Sequence, residues 1–564
     1  MPVAIEEHEI ASISSAADPP DDTVGPPESS RLERLIAAAL FVVSFLYLCL
    51  FRRATWIDLD EGIILQGAQR ILDGQVLYRD FFSFFTPGSY YLLALVFRVF
   101  GDSYLVAHTL LAVVGAGFSP VTYLLSRRVC GRQTSLLVTG LMTITALPLR
   151  FVILHNWDST LLVCLALYCA VRLLESSSTK WAFSAASFAS LTVLFEQSKG
   201  AGLVLGLGVG FAIVILYGQG RHIFHRRHLT AIAFGFLWPL LITFVYFASQ
   251  HALGEMLKSW FWPIQHYSAA NRVPYGYENM SEEDRRDIFG SGSLAMRLLM
   301  RLIFSPHTWI PYLPLLAVAL LIRLMLFRNR RGLTTREWSY YVLISAGISG
   351  LLLSVIAARA DDFHFLYLQP IFFLCLAWLL DGRNVRSTFV AKVSPVVGFL
   401  LSMSLLAAGA EALFQTRQPN IATTRRGTIA TPRHDEVIPY IQAQTFPAEL
   451  LLVYPYQATY YYLTQTYSPT SFEYYQPGMH TPEQVQEMLT QIKERPPRFV
   501  LYEPSFTRRV PTSWPNTPET ALAVDPIASF LAQRYRACLT LQSSTSWNFL
   551  LMVRKDWSCP DTRK

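Results

Sequence analysis

Charge is scarce in this sequence. Of its 564 residues only 15% are Asp, Glu, Lys or Arg, whereas 52% are hydrophobic and the mean hydropathy is +0.31. Soluble domains carry about 25% charged residues, so this composition argues against an ordinary soluble protein. Apolar runs of about 20 residues recur along the chain, and this is the length that a transmembrane helix requires.

The sequence also lacks the patterns of several common ligand sites. Its seven cysteines include no paired C-x-x-C spacing of the kind that binds zinc. The polar C-terminal part contains no glycine-rich phosphate loop and no nucleotide-binding fingerprint. Two cysteines of that part, Cys538 and Cys559, could form a disulfide in an oxidising compartment. The net charge of +7 comes largely from Arg and Lys in short loops, so it bears on membrane orientation rather than on nucleic acid.

The apolar runs predict about eleven transmembrane helices. A further run, residues 89–100, is only about 12 residues long, short of the roughly 17–25 needed to cross a bilayer. Its tyrosines and Arg98 suit a helix that lies in the membrane interface. The predicted spans lie at about 36–51, 103–125, 134–149, 159–174, 181–196, 200–217, 229–249, 308–327, 338–358, 363–380 and 389–411.

The basic residues of the loops orient these spans. If residues 89–100 do not cross, nearly all basic loops fall on one side, which the positive-inside rule makes cytoplasmic. Arg52 and Arg53 fall on the other side and are the exception. The basic loop residues are Arg127, Arg128, Arg132, Lys180, Arg221, Arg226, Arg227, Arg328, Arg330, Arg331, Arg336, Arg383 and Arg386.

The two ends of the chain differ from its apolar middle. Residues 1–30 are acidic and rich in Ser and Pro, which predicts a disordered tail. No basic segment precedes an early apolar core there, so we expect no cleaved signal peptide. The region after about residue 412 predicts a small α/β domain outside the membrane. Its strand-like runs are 449–456, 498–502 and 539–553, and its helix is 481–493, where Thr481 and Gln484 fit a capping box.

The outer side collects the ionisable residues that have no positive-inside explanation. They occur in the loop 52–102, in the long loop 250–307 and at the ends of several spans. The first of these loops carries adjacent acids, Asp60 and Glu61, just after the first span. Because ionisable groups at membrane depth are costly and usually mark function, their convergence predicts an active site on this side.

Several short motifs occur in order along the chain. They are Asp60-Glu61-Gly62, Ala68, Arg70-Ile71, Gly74, Tyr78-Arg79-Asp80, Pro87-Gly88, Phe100-Gly101, Ser126-Arg127-Arg128, Gly131-Arg132, Asp158, Lys199-Gly200 and Arg359-x-Asp361-x-x-His364-Phe365. Over about residues 35–410 this order resembles that of GT-C glycosyltransferases. The likeness is to the branch that contains protein O-mannosyltransferases, the aminoarabinose transferase acting on lipid A, and rhizobial galacturonosyltransferases.

The resemblance implies a polytopic all-α membrane protein of GT-C type with a C-terminal extracytoplasmic α/β domain. Residues 31–411 would form the catalytic transmembrane domain, with 52–102 and 250–307 as periplasmic loops, and 412–564 the periplasmic domain. The implied reaction moves a sugar from a polyprenyl-phosphate donor to an acceptor hydroxyl with inversion. The acceptor could be a glycan, a lipid or a protein, and the implied location is a bacterial inner membrane with a cytoplasmic N-terminus.

The resemblance and the loop positions also assign candidate residues. Asp60 matches the family's first-loop acid and is the candidate general base for the acceptor hydroxyl. The leaving lipid phosphate requires cations near the interface. The remaining candidates are Glu61 and Asp158 for catalysis, Lys199 by motif and Arg150 and Arg359 by position for the donor phosphate, and Arg79, Asp80, His266, Tyr267, Asp361 and His364 for substrate binding.

Simpler structural roles compete with several of these assignments. Glu61 could only orient the loop, and Asp158 could be a helix N-cap. Lys199 could be an ordinary interfacial lysine whose ammonium reaches water. Asp361 and His364 could bind a metal, but two ligands do not make a site. No cofactor is indicated firmly, although a divalent metal stays open because some GT-C relatives use one.

Two other functions remain as alternatives. A transporter or flippase for lipid-linked sugars would show internal repeats and broken spans in matching halves, and no such repeat is visible. A non-catalytic scaffold that binds a partner through its external domain would tolerate changes at Asp60. The transferase is the preferred hypothesis, and the sequence names neither the sugar nor the acceptor.

Overall fold

A computed structural model provides the structure of the chain. It describes residues 31–55, 57–217, 225–267, 269–281, 283, 285–286, 290, 292–326, 334–381, 388–545 and 547–560. The predicted disordered tail, residues 1–30, lies outside the described residues. The same holds for six of the basic loop residues, Arg221, Arg328, Arg330, Arg331, Arg383 and Arg386.

Helices form the part of the chain that the apolar runs occupy. The described helices of this part are α1 (Arg31–Leu48), α2 (Glu61–Leu72), α3 (Gly88–Phe100), α4 (Tyr104–Ser126), α5 (Arg132–Leu149), α6 (His155–Ser176), α7 (Thr179–Phe195), α8 (Gln197–Leu216), α9 (Arg226–Ser249), α10 (Leu253–Trp262), α11 (Leu294–Phe304), α12 (Pro306–Trp309), α13 (Leu313–Leu326), α14 (Thr335–Ala358), α15 (Asp362–Tyr367), α16 (Gln369–Leu380) and α17 (Thr388–Gln415).

Length and hydropathy identify the membrane spans among these helices. Of the eleven predicted spans, three are occupied by helices that are shorter or less apolar than the rest, namely α5, α7 and the pair α15 and α16. The prediction of a polytopic helical membrane protein is confirmed. Within the described residues, eight stretches are long and apolar enough to cross, namely Arg31–Phe51, Tyr104–Ser126, His155–Ser176, Gln197–Leu216, Arg226–Ser249, Pro306–Leu326, Thr335–Ala358 and Pro395–Gln415.

The first two spans run antiparallel, which places the first loop at one end of the bundle. The Tyr123 hydroxyl near the end of α4 donates to Glu33 near the start of α1, at 2.5 Å. At the other end, Arg52 donates to Thr109 at 3.1 Å. The chain therefore leaves and returns at the same end between α1 and α4, and α3 does not carry it across the membrane.

The opposite end of the bundle holds two of the described basic loop residues, each paired with an acid. Arg132 contacts Glu33 at 2.9 Å, and Arg128 contacts Glu175 at 3.1 Å. Both carboxylates are buried, and a buried charge is tolerated when it is paired and hydrogen-bonded. Each of these arginines is thus neutralised by an acid at its own end of the bundle. The acids at the first-loop end are not used in these pairs.

A four-stranded mixed sheet forms the core of the C-terminal part. Strands β3 (Leu451–Tyr454) and β4 (Phe499–Tyr502) are parallel neighbours, and β6 (Asn548–Arg554) runs antiparallel to both β4 and β5 (Tyr535–Gln542). A separate hairpin pairs β1 (Asn420–Thr424) with β2 (Gly427–Thr431). The helices are α18 (Val437–Gln444), α19 (Thr459–Thr464), α20 (Pro482–Glu494), α21 (Phe506–Ser513), α22 (Glu519–Ala523) and α23 (Pro526–Arg534).

This sheet agrees with the strands read from the sequence. The helix α20 begins with the predicted capping box, because the Thr481 side chain accepts from the Gln484 backbone and the Gln484 side chain accepts from the Thr481 backbone. The helix connects β3 to β4, as a parallel pair of strands requires. Cys538 and Cys559 form a disulfide. The sequence reasoning missed the hairpin β1–β2 and the helices α18, α19, α21, α22 and α23.

The C-terminal part is joined to the first loop by backbone and side-chain contacts. The hairpin exchanges hydrogen bonds with the chain after α1, from Thr55 N to Ala430 O at 2.9 Å and from Ala430 N to Arg53 O at 2.8 Å. The buried pair Arg70–Glu473 adds an ion pair between α2 and the segment before α20. The four-stranded sheet and the first loop therefore form one packed unit.

Gly62 marks the tightest contact of this unit and gives a stability prediction. A Cβ at position 62 would lie 2.0 Å from the backbone nitrogen of Thr459 in α19. Gly62→Ala should therefore force α2 and α19 apart, at a cost of about 1–3 kcal/mol for overpacking. Gly208→Ala is the matched control, since a Cβ there meets nothing within 4 Å. Thermal unfolding in detergent should show a lower Tm for Gly62→Ala only; equal melting of the two variants would contradict the packing.

Candidate active site

Asp60 occupies the turn that starts α2. It is the N-cap residue of this helix, and its backbone nitrogen donates to the Asp58 carboxylate at 2.9 Å. Helix N-termini favour negative charge because their backbone N–H groups point outward. The turn thus presents a carboxylate at the end of the bundle where the outer loops converge.

Two residues from distant parts of the chain hold the Asp60 carboxylate. Arg150, directly after α5, donates Nη2 to Oδ2 at 3.0 Å, and the Tyr456 hydroxyl of the C-terminal domain donates to Oδ1 at 3.0 Å. The Asp60 side chain is nevertheless 44% exposed. The carboxylate is therefore oriented by both partners and still open to a bound molecule.

Arg150 combines a fixed position with unused hydrogen-bonding capacity. Its Nη2 also contacts Asp58 at 3.2 Å, and its guanidinium lies over the Phe363 ring with 4.4 Å to the centroid. Its Nε is buried and has no hydrogen-bond partner among the described residues. A cation held in this way can accept an anionic group of a substrate.

The surroundings of Asp60 raise the pKa of its carboxyl group. The main cause is the surrounding protein, which reduces the water around this partly exposed carboxylate, and the neighbouring Asp58 carboxylate adds to it. Arg150 and the Tyr456 hydroxyl oppose this rise because they favour the ionised form. A carboxylate with a raised pKa is a stronger base than an ordinary aspartate.

Arg359, Asp361 and His364 form a hydrogen-bonded chain between α14 and α15. Asp361 is the N-cap of α15, and its Oδ1 contacts His364 Nδ1 at 2.6 Å, whereas Arg359 Nε donates to Oδ2. Burial alone would raise the pKa of Asp361, but His364 and Arg359 hold it below its usual range. His364 is 29% exposed and lies within electrostatic range of Asp60. The structure thus places His364 beside the site and Asp361 behind it.

Arg359 is occupied as a connector of three chain segments. It donates Nη1 to the Asn271 side chain at 3.0 Å and Nη2 to the Asn279 side chain at 2.7 Å, and Nη2 also reaches the Ser513 carbonyl. Only 5% of the residue is exposed. This arrangement ties the loop 250–307 and the C-terminal domain to α14, so the prediction of direct phosphate binding by Arg359 finds no support in it.

Lys199 is also enclosed. Its ammonium donates to Asn156 O, Ser159 Oγ and Thr160 Oγ1 at 3.0–3.1 Å and pairs with Glu196 at 2.8 Å. An ammonium has three protons, and these oxygens use all of them. A phosphate could reach Lys199 only after this cage opens. The explanation of a freely placed interfacial lysine does not apply either, because Lys199 is buried.

Glu61 lies next to Asp60 but faces the protein interior. Its carboxylate contacts His108 at 2.7 Å, the Tyr104 hydroxyl at 3.1 Å and the Ile153 backbone nitrogen at 2.9 Å. Both side chains of the Glu61–His108 pair are fully buried. The alternative in which Glu61 orients the loop fits this geometry better than direct contact with a substrate.

Of the five remaining predicted residues, one lies in α6, two lie in the first loop and two lie in the loop 250–307. Asp158, in the first turn of α6, accepts a hydrogen bond from Ser89 at 2.6 Å and thereby links α6 to α3. Arg79 and Asp80 pair with each other at 2.8 Å, and Arg79 also donates to the Gln250 carbonyl at 3.1 Å. The first contact connects two helices and the last connects two loops, and none of them is with Asp60.

Tyr267 and His266 lie in the loop 250–307. Tyr267 packs on Phe84, with 5.0 Å between the ring centroids, and its hydroxyl lies within electrostatic range of Asp60 and Arg359. His266 is exposed and lies beside the Trp262 ring. Of the two, Tyr267 faces the site.

Sequence reasoning missed the contribution of the C-terminal domain to the site. Tyr456 and Tyr474 pack together with 4.4 Å between ring centroids, and both interact electrostatically with Asp60. The available signal was the unusual density of tyrosines between residues 454 and 475. Because this stretch was interpreted as a strand and a loop, its many tyrosines did not indicate a site.

The chemistry of the side chains does not favour a metal at Asp60. No group of three or more His, Cys, Asp or Glu with metal-binding geometry occurs within the part of the chain that the structure describes. The two nearby acids, Asp58 and Asp60, both contact Arg150, which supplies the positive charge that a metal would otherwise bring.

The fold and the site together define a class of protein. It is a multi-pass helical membrane protein whose acids and cations meet at one end of the bundle, beneath a small α/β domain. Residues 86–247 match the family model of dolichyl-phosphate-mannose-protein mannosyltransferase. The resemblance to GT-C superfamily membrane glycosyltransferases is thereby confirmed. No curated protein matches the chain.

Among solved structures, the chain is similar to ArnT from Cupriavidus metallidurans bound to undecaprenyl phosphate, at 12% identity over 94% of this chain and 99% of that chain, with a TM-score of 0.49. The apo state of ArnT matches at 13% identity over 94% and 98% of the two chains, with a TM-score of 0.47. An Archaeoglobus fulgidus oligosaccharyltransferase in complex with zinc and sulfate matches at 11% identity over 91% and 73%, with a TM-score of 0.45.

Loss of the buried Glu61 charge should lower the stability of the protein. Glu61→Gln leaves buried donors without a carboxylate, so it should lower the free energy of unfolding by about 1–3 kcal/mol. Glu494→Gln, at an exposed position of α20, is the control and should melt like the wild type. The readout is thermal unfolding of the purified variants. Unchanged stability of Glu61→Gln would remove the structural role assigned here.

Proposed function

We propose that the protein transfers a sugar from a polyprenyl-phosphate carrier to an acceptor hydroxyl, with Asp60 as the general base. The proposal rests on the environment of the Asp60 carboxylate. Arg150 and Tyr456 orient this carboxylate, and it is still partly exposed at the first-loop end of the bundle. The match of residues 86–247 to a mannosyltransferase family that uses a lipid-phosphate donor supports this reaction class.

The proposed step is a single displacement. Asp60 accepts the proton of the acceptor hydroxyl while the acceptor oxygen bonds to the anomeric carbon of the sugar. The bond from that carbon to the phosphate oxygen breaks, and polyprenyl phosphate leaves with the electron pair. Attack opposite the leaving group inverts the anomeric carbon. The acceptor itself is the nucleophile, so no second carboxylate is needed to activate water.

Arg150 is the residue we assign to the leaving phosphate. Its guanidinium lies directly beside Asp60, and its Nε is buried without a partner among the described residues. Developing charge on the phosphate oxygen is stabilised by such a preorganised donor. We assign His364 and Tyr267, which both lie within electrostatic range of Asp60, to contact with the sugar or the acceptor.

Three observations favour the periplasmic face for this reaction. Arg128 and Arg132, two of the described basic loop residues, lie at the opposite end of the bundle, which the positive-inside rule makes cytoplasmic. The C-terminal domain contains the disulfide Cys538–Cys559, and disulfides persist in oxidising compartments. A polyprenyl-phosphate donor is anchored in the membrane, where the spans meet this site. We place the C-terminal domain and the reaction in the bacterial periplasm.

Transfer by the purified protein tests the proposal. Protein in nanodiscs is offered a panel of polyprenyl-phosphate sugars with a crude membrane extract as the source of acceptor, and released polyprenyl phosphate is measured. Asp60→Asn should lower the rate about a hundredfold or more, since a general base typically contributes 10²- to 10⁴-fold. Asp556→Asn, an exposed aspartate of the C-terminal domain, is the matched control and should retain the wild-type rate.

The outcomes of this assay are distinct. Release by wild type that disappears in a folded Asp60→Asn protein supports both the transferase and its base. A wild-type rate in Asp60→Asn would remove Asp60 as the base but keep the transferase. No release by wild type with any donor of the panel would contradict the transferase and turn attention to lipid flipping in liposomes.

The pH dependence of transfer should reflect the environment of Asp60. The base acts only when ionised, so kcat/KM falls as the pH drops through its pKa. Since the pKa of Asp60 is raised, the midpoint of this fall should lie above the ordinary aspartate value of about 3.9. Rates across the pH range report the midpoint, and thermal melting at each pH excludes unfolding. A midpoint at or below the ordinary value would be inconsistent with this assignment.

A further inference from the structure

The C-terminal domain reaches the catalytic turn through one short segment, residues 455–459. This segment connects β3 to α19 and lies against residues 57–62 of the first loop. The Gln457 side chain donates to the Ile57 carbonyl at 2.9 Å, and Thr459 Oγ1 donates to the Asp58 carbonyl at 2.6 Å. Both carbonyls precede Asp60, and the same segment packs on Gly62, which follows it, so the segment contacts the backbone before and after Asp60.

The backbone of this turn is strained. Ile57 has a φ of +50°, in the left-handed region. A β-branched residue rarely adopts this conformation, which costs of order 1–3 kcal/mol and persists only where the surroundings impose it. The hydrogen bond from Gln457 falls on the carbonyl of this same residue. The C-terminal domain thus contacts the first loop at a strained residue.

The side chain of Tyr456 is fixed before it reaches Asp60. It is 4% exposed, its ring is stacked on Phe506 with 5.8 Å between centroids, and Tyr474 packs on it at 4.4 Å. Its hydroxyl then donates to Asp60 Oδ1 at 3.0 Å. Because the ring cannot rotate without losing these contacts, the hydroxyl holds one carboxylate oxygen in a defined direction.

We propose that Tyr456 is a positioning residue for Asp60, and that the docked C-terminal domain completes the catalytic centre by holding the Asp60 turn. The proposal rests on the proposed function, in which Asp60 is the base. With Oδ2 held by Arg150 and Oδ1 by Tyr456, the carboxylate plane is set from two sides. The carboxylate keeps further lone pairs, and in the proposed step the acceptor hydroxyl gives its proton to one of them from the exposed side.

Loss of the Tyr456 hydroxyl has a predictable electrostatic effect. The charged and titratable groups that act on Asp60 are Asp58 of its own turn, Arg150 after α5, His364 and Tyr367 of α15, Tyr267 of the loop 250–307, and Tyr456 and Tyr474 of the C-terminal domain. Among them, the hydroxyl of Tyr456 donates a hydrogen bond that lowers the pKa of Asp60. Its removal therefore raises that pKa further.

The test compares Tyr456→Phe with wild type in the carrier-release assay, using the full-length protein. The kcat should fall roughly tenfold to a hundredfold, the range expected when a reacting group loses its alignment, while KM for the donor changes little. The acid limb of the pH profile should move to higher pH, because the phenylalanine cannot stabilise the ionised carboxylate. A merely structural tyrosine would not move this limb.

Tyr460→Phe is the matched control. Tyr460 lies in the neighbouring helix α19 and also donates to a carboxylate, that of Asp435 at 2.8 Å, but this pair belongs to the core of the C-terminal domain. Tyr460→Phe should lower thermal stability and leave the acid limb in place. The comparison separates the loss of a buried tyrosine hydrogen bond from the loss of this particular one.

A second variant keeps the test decisive if Tyr456→Phe does not fold. Thr459→Val preserves shape but removes the hydrogen bond to the Asp58 carbonyl, so it should lower kcat by loosening the turn. Folded Tyr456→Phe or Thr459→Val protein with wild-type kcat and an unmoved acid limb would overturn the proposal. That result differs from failure of the proposed function, which is recognised by the absence of carrier release in wild type or by an active Asp60→Asn variant.

Discussion

The buried carboxylate of Glu61 fixes the position of the turn that carries Asp60. It accepts hydrogen bonds from α4 through His108 and Tyr104 and from the chain after α5 through Ile153. These contacts hold the start of α2 against the bundle. Asp60, one residue earlier, is consequently directed to the open side. Glu61 is thus buried and anchors the turn, whereas the adjacent Asp60 is held at the site.

The cations near this end of the bundle differ in how far the protein has already satisfied them. Lys199 and Arg359 are each enclosed by oxygen atoms of the chain. Arg150 contacts two carboxylates through one nitrogen and keeps another nitrogen without a partner among the described residues. An enclosed cation stabilises the fold, whereas one with unused donors can bind an anion from outside. This difference, rather than closeness to the membrane surface, distinguishes Arg150.

The sequence predicts the bundle and the strands of the C-terminal domain well, because both follow from periodic patterns of apolar residues. It also places Asp60 in the site, since Asp60 stands where the chain first leaves the membrane. It could not separate Arg150 from Lys199 and Arg359, because whether a cation is enclosed depends on residues far away in the chain. Tyr456 was missed for the same reason. Nothing in the local pattern around residue 456 shows that its hydroxyl reaches residue 60.

The two partners of Asp60 have a consequence for the order in which the protein is made. Arg150 and Tyr456 lie 90 and 396 positions after Asp60 in the chain. Asp60 and Arg150 emerge early in synthesis, whereas Tyr456 leaves the ribosome only after every predicted span. A nascent chain that is already inserted in the membrane therefore has the aspartate and the arginine but not the third contact. The site is complete only once the C-terminal domain has folded and docked on the first loop.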